Sequence, residues 1–198
     1  MVARLPLAVS MIVVSAGLAA ASPAFAAPGV SVSGTTLIVT AVPGAKDNLQ
    51  ITRPSQARMR VSDFPSGVYT GSAVHAGASC AQTGTKQVSC VATGVERIEV
   101  SSGDLPDKVV NSTGIPSSLD GGSANDNLIG GSARDTLIGG RGPDVLQGKN
   151  GNDQLLARDG ASDDLIDCDG GAGDRVELDL LPLDPNALVK SCETKTRG

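Results

Sequence analysis

Between Gly121 and Asp153 the chain keeps a nine-residue beat, with aspartate returning at Asp126, Asp135, Asp144 and Asp153. A leucine follows each aspartate two residues later, at Leu128, Leu137, Leu146 and Leu155. Each full unit opens with glycine, as in Gly121-Gly122-Ser123-Ala124-Asn125-Asp126-Asn127-Leu128-Ile129 and Gly139-Gly140-Arg141-Gly142-Pro143-Asp144-Val145-Leu146-Gln147. A flexible linker has no reason to hold leucine in register with aspartate, so the beat describes a folded repeat.

The repeat divides into a turn and a strand. Its glycine-rich start takes backbone angles that only glycine adopts cheaply, which lets carbonyl oxygens face a shared centre. Aspartate at the sixth position adds a charged oxygen to that centre. The last three residues of each unit suit one short strand, whose alternation turns the leucine to one face and its neighbours to the other. Leucines are therefore expected inside and aspartates at the turns. An all-oxygen centre favours calcium, which takes six to eight oxygen ligands, over zinc, copper or magnesium.

The pattern resembles the glycine- and aspartate-rich nonapeptide repeat of RTX proteins, whose tandem copies wind into a parallel β-roll that binds calcium. The resemblance implies an all-β chain with a β-roll, or β-solenoid, over residues 118–178. Two repeats make one coil of such a roll, so Asp126 stacks on Asp144 along one edge and Asp135 on Asp153 along the other. Ligands implied for the metal are the side chains of Asp126, Asp135, Asp144, Asp153, Asp163 and Asp174. Backbone carbonyls of Gly122, Ala124, Gly131, Ala133, Gly140, Gly142 and Gly151 complete the set, for about two to three Ca2+ ions. Asp163 and Asp174 sit where the spacing slips by extra residues. Alanine stands at Ala124 and Ala133, where the repeat favours glycine. On one face Leu128, Leu146 and Leu165 are expected inward, with Ile129, Gln147 and Ile166 outward. On the other, Leu137 and Leu155 point in, and Ile138 and Leu156 form an outer strip suited to docking unless flanking segments cover it.

Residues 1–26 read as a secretory signal peptide: Arg4, an apolar stretch, then Ala24-Phe25-Ala26 as a cleavage signal. A secreted, extracellular protein is expected, with no other segment apolar enough to span a bilayer. The four cysteines fall into local pairs, Cys80 with Cys90 and Cys168 with Cys192. As disulfides, these suit an oxidising compartment, although four cysteines allow three connectivities.

Residues 27–117 read as β structure. Short alternating runs at Thr36-Leu37-Ile38-Val39-Thr40, Asn48-Leu49-Gln50-Ile51-Thr52, Met59-Arg60-Val61-Ser62 and Arg97-Ile98-Glu99-Val100-Ser101 are separated by turn residues. Gly103-Asp104-Leu105-Pro106-Asp107-Lys108-Val109-Val110 mimics the repeat ending, and Ala45-Lys46-Asp47-Asn48-Leu49 does so more faintly. The region is either a degenerate, capping extension of the roll or a small β-sandwich, the extension being preferred. Residues 179–198 are expected to cap the other end, tied down by Cys192.

Composition narrows the function. Aromatic residues are 2% with no tryptophan, the net charge is −5 and the pI is near 4.8. These features disfavour nucleic-acid or anionic-lipid partners. No H-E-x-x-H or G-x-S-x-G motif occurs, and the only histidine is His75. Asn111-Ser112-Thr113 matches a glycosylation sequon to which we give no weight. The expected function is therefore not enzymatic: a secreted calcium-binding protein with a structural or interaction role and an unidentified protein or cell-surface partner. The alternative is a secreted enzyme or toxin-like effector that uses the repeats as a calcium-dependent folding module. RTX toxins and proteases carry large effector domains that this sequence does not display.

Overall fold

A computed structural model describes residues 29–41, 44–64, 76–163, 165–179 and 188–197. The expected signal peptide, residues 1–26, and His75 lie outside the described residues. The described chain opens with an antiparallel hairpin, β1 (Gly29–Ser33) and β2 (Thr36–Thr40), with Val30 opposite Val39. Next come β3 (Asn48–Ser55), β4 (Arg58–Asp63), β5 (Cys80–Gly84) and β6 (Gln87–Val91), paired antiparallel as β3–β4, β4–β6 and β6–β5.

From β7 (Arg97–Ser101) onward the chain winds as a coil and lays successive strands alternately in two sheets. These are β8 (Lys108–Ser112), β9 (Ser117–Ser123), β10 (Asn127–Ile129), β11 (Thr136–Arg141) and β12 (Val145–Gln147). The winding continues through β14 (Gln154–Ala157), β15 (Leu165–Asp167), β17 (Arg175–Leu178), β18 (Leu188–Lys190) and β19 (Thr194–Arg197). Two-residue strands β13 (Asn150–Gly151) and β16 (Gly170–Gly171) pair in the turns.

One sheet has the order β1-β2-β7-β9-β11-β14-β17-β19 and the other β18-β15-β12-β10-β8-β3-β4-β6-β5. Every neighbour pair from β2 to β19 is parallel, as is every pair from β18 to β3. The architecture is a parallel β-solenoid, and the N-terminal β region is continuous with it: β2 and β3 are its first rungs. Antiparallel β1 and the β4–β6–β5 extension close the N-terminal edges of the two sheets, which would otherwise invite another chain to pair.

The core is one side chain deep from each sheet. Val39, Val100, Leu119, Leu137, Leu155 and Val176 stack in register on one side. Leu49, Val109, Leu128, Leu146 and Ile166 stack on the other. All are buried, and each contributes about 2 kcal/mol through removal from water. The four beat leucines thus fill consecutive rungs.

One expectation is corrected here. Ile166 pairs with Leu146 and is buried, while Leu165 pairs with Val145 on the outer side and is half-buried. Two residues rather than one separate Asp163 from its inward neighbour, Ile166. With two apolar residues adjacent, the rung could take up the extra residue by burying the second. The expected outer strip of Ile138 and Leu156 is half-buried, in a row bounded by Asp120 and Glu177. Of the C-terminal leucines, Leu178 is buried, and β18 and β19 add a further parallel rung to each sheet. Disulfides join Cys80 to Cys90 across β5–β6, and Cys168 to Cys192 across the last coils. Asn111 of the sequon is 1% exposed, and its amide bonds Ile115 and Thr113, so in the folded protein it is not open to glycosylation.

Candidate metal centre

Each coil has two edges where the chain passes between sheets, and each edge carries a ladder of carboxylates. On the edge leading into β3, β8, β10, β12 and β15 stand Asp47, Asp107, Asp126, Asp144 and Asp163. The N–H of each donates to Oδ1 of the next: Asp47 to Asp107 at 2.7 Å, Asp107 to Asp126 at 2.8 Å, Asp126 to Asp144 at 2.8 Å and Asp144 to Asp163 at 3.0 Å. The opposite edge runs Ser117, Asp135, Asp153, Asp174 and Glu193, with N–H to carboxylate distances of 2.8, 2.8, 2.7 and 2.6 Å. The expected stacks, Asp126 on Asp144 and Asp135 on Asp153, are both present.

This anchoring explains why aspartate recurs at the sixth position. Its short side chain reaches the amide one rung away with one oxygen and holds the other inside its own turn. Oδ2 of Asp107, Asp126, Asp153 and Asp174 is buried and receives no hydrogen bond. Each faces the opening glycine of its turn in the two clearest cases: a methyl group built on Gly121 would lie 2.5 Å from Asp126 Oδ2, and one on Gly148 would lie 2.7 Å from Asp153 Oδ2. The Asp144 carboxylate stands the same way beside Gly139.

Backbone oxygens approach the same turns. A Cβ added at Gly140 would strike the carbonyl of Gly122, at Gly142 that of Ala124, at Gly151 that of Ala133 and at Gly171 that of Gly151. The carbonyls of Gly122, Ala124, Ala133 and Gly151 thus point toward the following turn on their edge. The Gly131 carbonyl instead accepts the N–H of Asn150 at 3.3 Å. The backbones of Gly140 and Gly142 sit at φ 92° and 123°. Ala124 has φ 87°, the left-handed region in which Cβ is penalised.

Among the described residues no three acidic, histidine or cysteine side chains form a metal-holding group. A cation in these turns must therefore take much of its coordination from main-chain carbonyls. Oxygen donors, buried anionic charge and glycine-lined space match calcium's requirements and lack the nitrogen or sulfur that zinc and copper favour.

Burial dominates the electrostatics. It raises Asp107, Asp126 and Asp153 from the ordinary 3.8 to about 7, and like charges on neighbouring rungs add to the rise. Burial also raises Asp135. That residue stands apart, because both its oxygens are bonded. Oδ1 accepts the Ser117 N–H at 2.8 Å and hydroxyl at 2.6 Å, and Oδ2 accepts the Gly131 N–H at 2.6 Å.

The family of RTX calcium-binding nonapeptide repeats (4 copies) matches over residues 120–155 and 129–162. Residues 120–162 carry RTX-type repeats. Searches of curated proteins and of solved structures find no match. The carboxylate ladders outrun the matched RTX segment at both ends. Asp107 and Asp47 lie in the faint sequence echoes of the repeat, whereas Glu193 and Asp63 carry no motif at all. Glu193 reaches the Asp174 amide beside the Cys168–Cys192 bridge. Asp63, at the end of antiparallel β4, accepts the Asn48 N–H at 3.0 Å; the alternating run Met59–Ser62 marks its strand but not that pairing.

Proposed function

We propose that this RTX-type protein is a secreted calcium-binding β-roll in which ions between stacked Gly-Asp turns complete folding, and that the rigid roll serves a structural or interaction role outside the cell. The buried, donor-free Oδ2 atoms of Asp126 and Asp153 carry the reading. A fold that buries one carboxylate oxygen without giving it a hydrogen-bond donor incurs a penalty that a bound divalent cation removes. Both disulfides and the signal-like sequence of residues 1–26 support an oxidising, extracellular destination.

Calcium binding energy adds to folding energy by mass action, because the unfolded chain does not assemble the turns. Equilibrium dialysis of residues 27–198 against calcium, with magnesium as competitor, tests the proposal. About two to three calcium ions per chain are expected, as calcium suits a carbonyl-rich cage and magnesium does not. Asp126→Asn combined with Asp153→Asn should lose ions from both edges. Equal binding by wild type and the double variant would refute the assignment.

A further inference from the structure

The second edge carries a polar groove of about 620 Å3, set between the end of β3 and three stacked turns. That volume lies within the range of small-molecule sites, roughly 300–1,000 Å3. The turns are residues 113–114, 131–132 and 149–150. The Ser132 N–H donates to the Thr113 carbonyl at 3.1 Å, and the Asn150 N–H to the Gly131 carbonyl at 3.3 Å. Two steps of about 4.8 Å give the groove a floor about 10 Å long. Arg53 and Gln56, from the β3–β4 hairpin, form the opposite wall.

Charge sets this groove apart in an acidic chain. The net charge is −5, yet no residue lining the groove is acidic and two are cations, Arg53 and Lys149. Arg53 continues the alternation that buries Leu49 and Ile51, but its strand outruns the pairing with β8, which ends at Thr52 opposite Ser112. The side chain therefore lies half-buried along the groove instead of in the core. Its guanidinium donates to the Gln56 carbonyl at 3.2 Å, its buried Nε meets no acceptor, and among the described residues it has no carboxylate partner. Lys149 meets Asp169 at 3.1 Å in a partly exposed bridge, which leaves ammonium donors to spare. Ser112, Ser132 and Asn150 are exposed and add hydroxyl and amide groups.

We propose that this groove binds an acidic saccharide, a short segment of a carboxylate-bearing sugar chain. The planar fork of Arg53 matches a carboxylate, and Lys149 supplies a second positive charge. Ser112, Ser132 and Asn150 exchange hydrogen bonds with ring hydroxyls. With no aromatic ring in the groove to stack on, a neutral sugar gains little there. An acidic peptide fits less well, because the groove has no apolar pocket for side chains and β3 is already paired on both sides. The assignment goes beyond the calcium-binding role and does not rest on it.

Isothermal calorimetry of the disulfide-bonded protein in calcium tests it, with trigalacturonate, its neutral methyl ester and triglutamate as probes. The proteins compared are wild type, Arg53→Gln, Lys149→Gln and Lys108→Gln. Lys108 opens β8 at the end away from the groove, so its variant carries the same charge change elsewhere. Trigalacturonate should bind, with Arg53→Gln and the methyl ester each weakening binding about tenfold or more, Lys149→Gln by less, and Lys108→Gln by less than about twofold. In wild type, trigalacturonate should shift the amide resonances of residues 112–114, 130–132 and 149–150, a readout that holds even if a variant misfolds. No binding, equal binding of the ester, an equal loss in Lys108→Gln, or shifts confined to other residues would each overturn the proposal. Triglutamate binding as tightly as trigalacturonate would overturn the saccharide assignment.

Discussion

Raising the pH should destabilise the calcium-free protein. Asp107, Asp126 and Asp153 titrate near 7 in the fold, against an ordinary 3.8. Below about pH 4 these groups hold their protons in folded and unfolded chains alike. Between pH 4 and 7 the fold retains protons that the unfolded chain has released, so stability falls as pH rises, by about 1.4 kcal/mol per pH unit for each proton retained. Above about pH 7 the full cost is in place. Moving one aspartate from 3.8 to about 7 corresponds to about 4 kcal/mol. Asp107 and Asp126 are adjacent rungs and titrate together, so that figure is better taken as the scale for an edge than for each residue. A domain of this size has about 5–15 kcal/mol in total, so the change is large. Thermal unfolding in chelator from pH 4.5 to 8 reads it directly, and saturating calcium should stabilise far more at pH 8 than at pH 5, where protons compete. A calcium-free melting temperature that is flat or rises across this range would refute the reasoning.

Other consequences are local. Asp126→Asn should stabilise the calcium-free chain at pH 8 while reducing its calcium response. Asp135→Asn should destabilise it by about 1–3 kcal/mol with or without calcium, since Ser117 and Gly131 rely on that carboxylate; urea unfolding with and without calcium separates the two. Ala124→Gly should raise stability by about 0.5–1 kcal/mol, since relief at φ 87° exceeds glycine's extra entropy cost. A drop in the urea midpoint would contradict that conformation. Ile166→Ala should cost about 2–4 kcal/mol and Leu165→Ala less than about 1 kcal/mol, and a reversed order in chemical denaturation would restore the register expected from sequence.

The sequence revealed most where one local rule repeats. The strands at Asn127–Ile129, Val145–Gln147 and Gln154–Ala157, and the stacking of Asp126 on Asp144, follow from the nine-residue period because each rung meets the same neighbours. Short runs such as Thr36–Thr40 and Arg97–Ser101 were equally legible from alternation. Where the period breaks, legibility stops. The pair Leu165-Ile166 offers two equivalent inward residues, and only packing against Leu146 selects Ile166. Asp135 looks identical to Asp153 in the repeat, yet Ser117, eighteen residues earlier, gives it donors that close its coordination. Asp63 and Glu193 reach the edges through tertiary pairing, for which no local spacing exists.

The most direct test of calcium-completed folding is far-UV circular dichroism of residues 27–198 during calcium titration, with magnesium in parallel. The account predicts a calcium-specific gain in β signal and a rise in melting temperature, both diminished in Asp126→Asn/Asp153→Asn. A chain fully folded in chelator at pH 8, with a melting temperature indifferent to calcium, would contradict it.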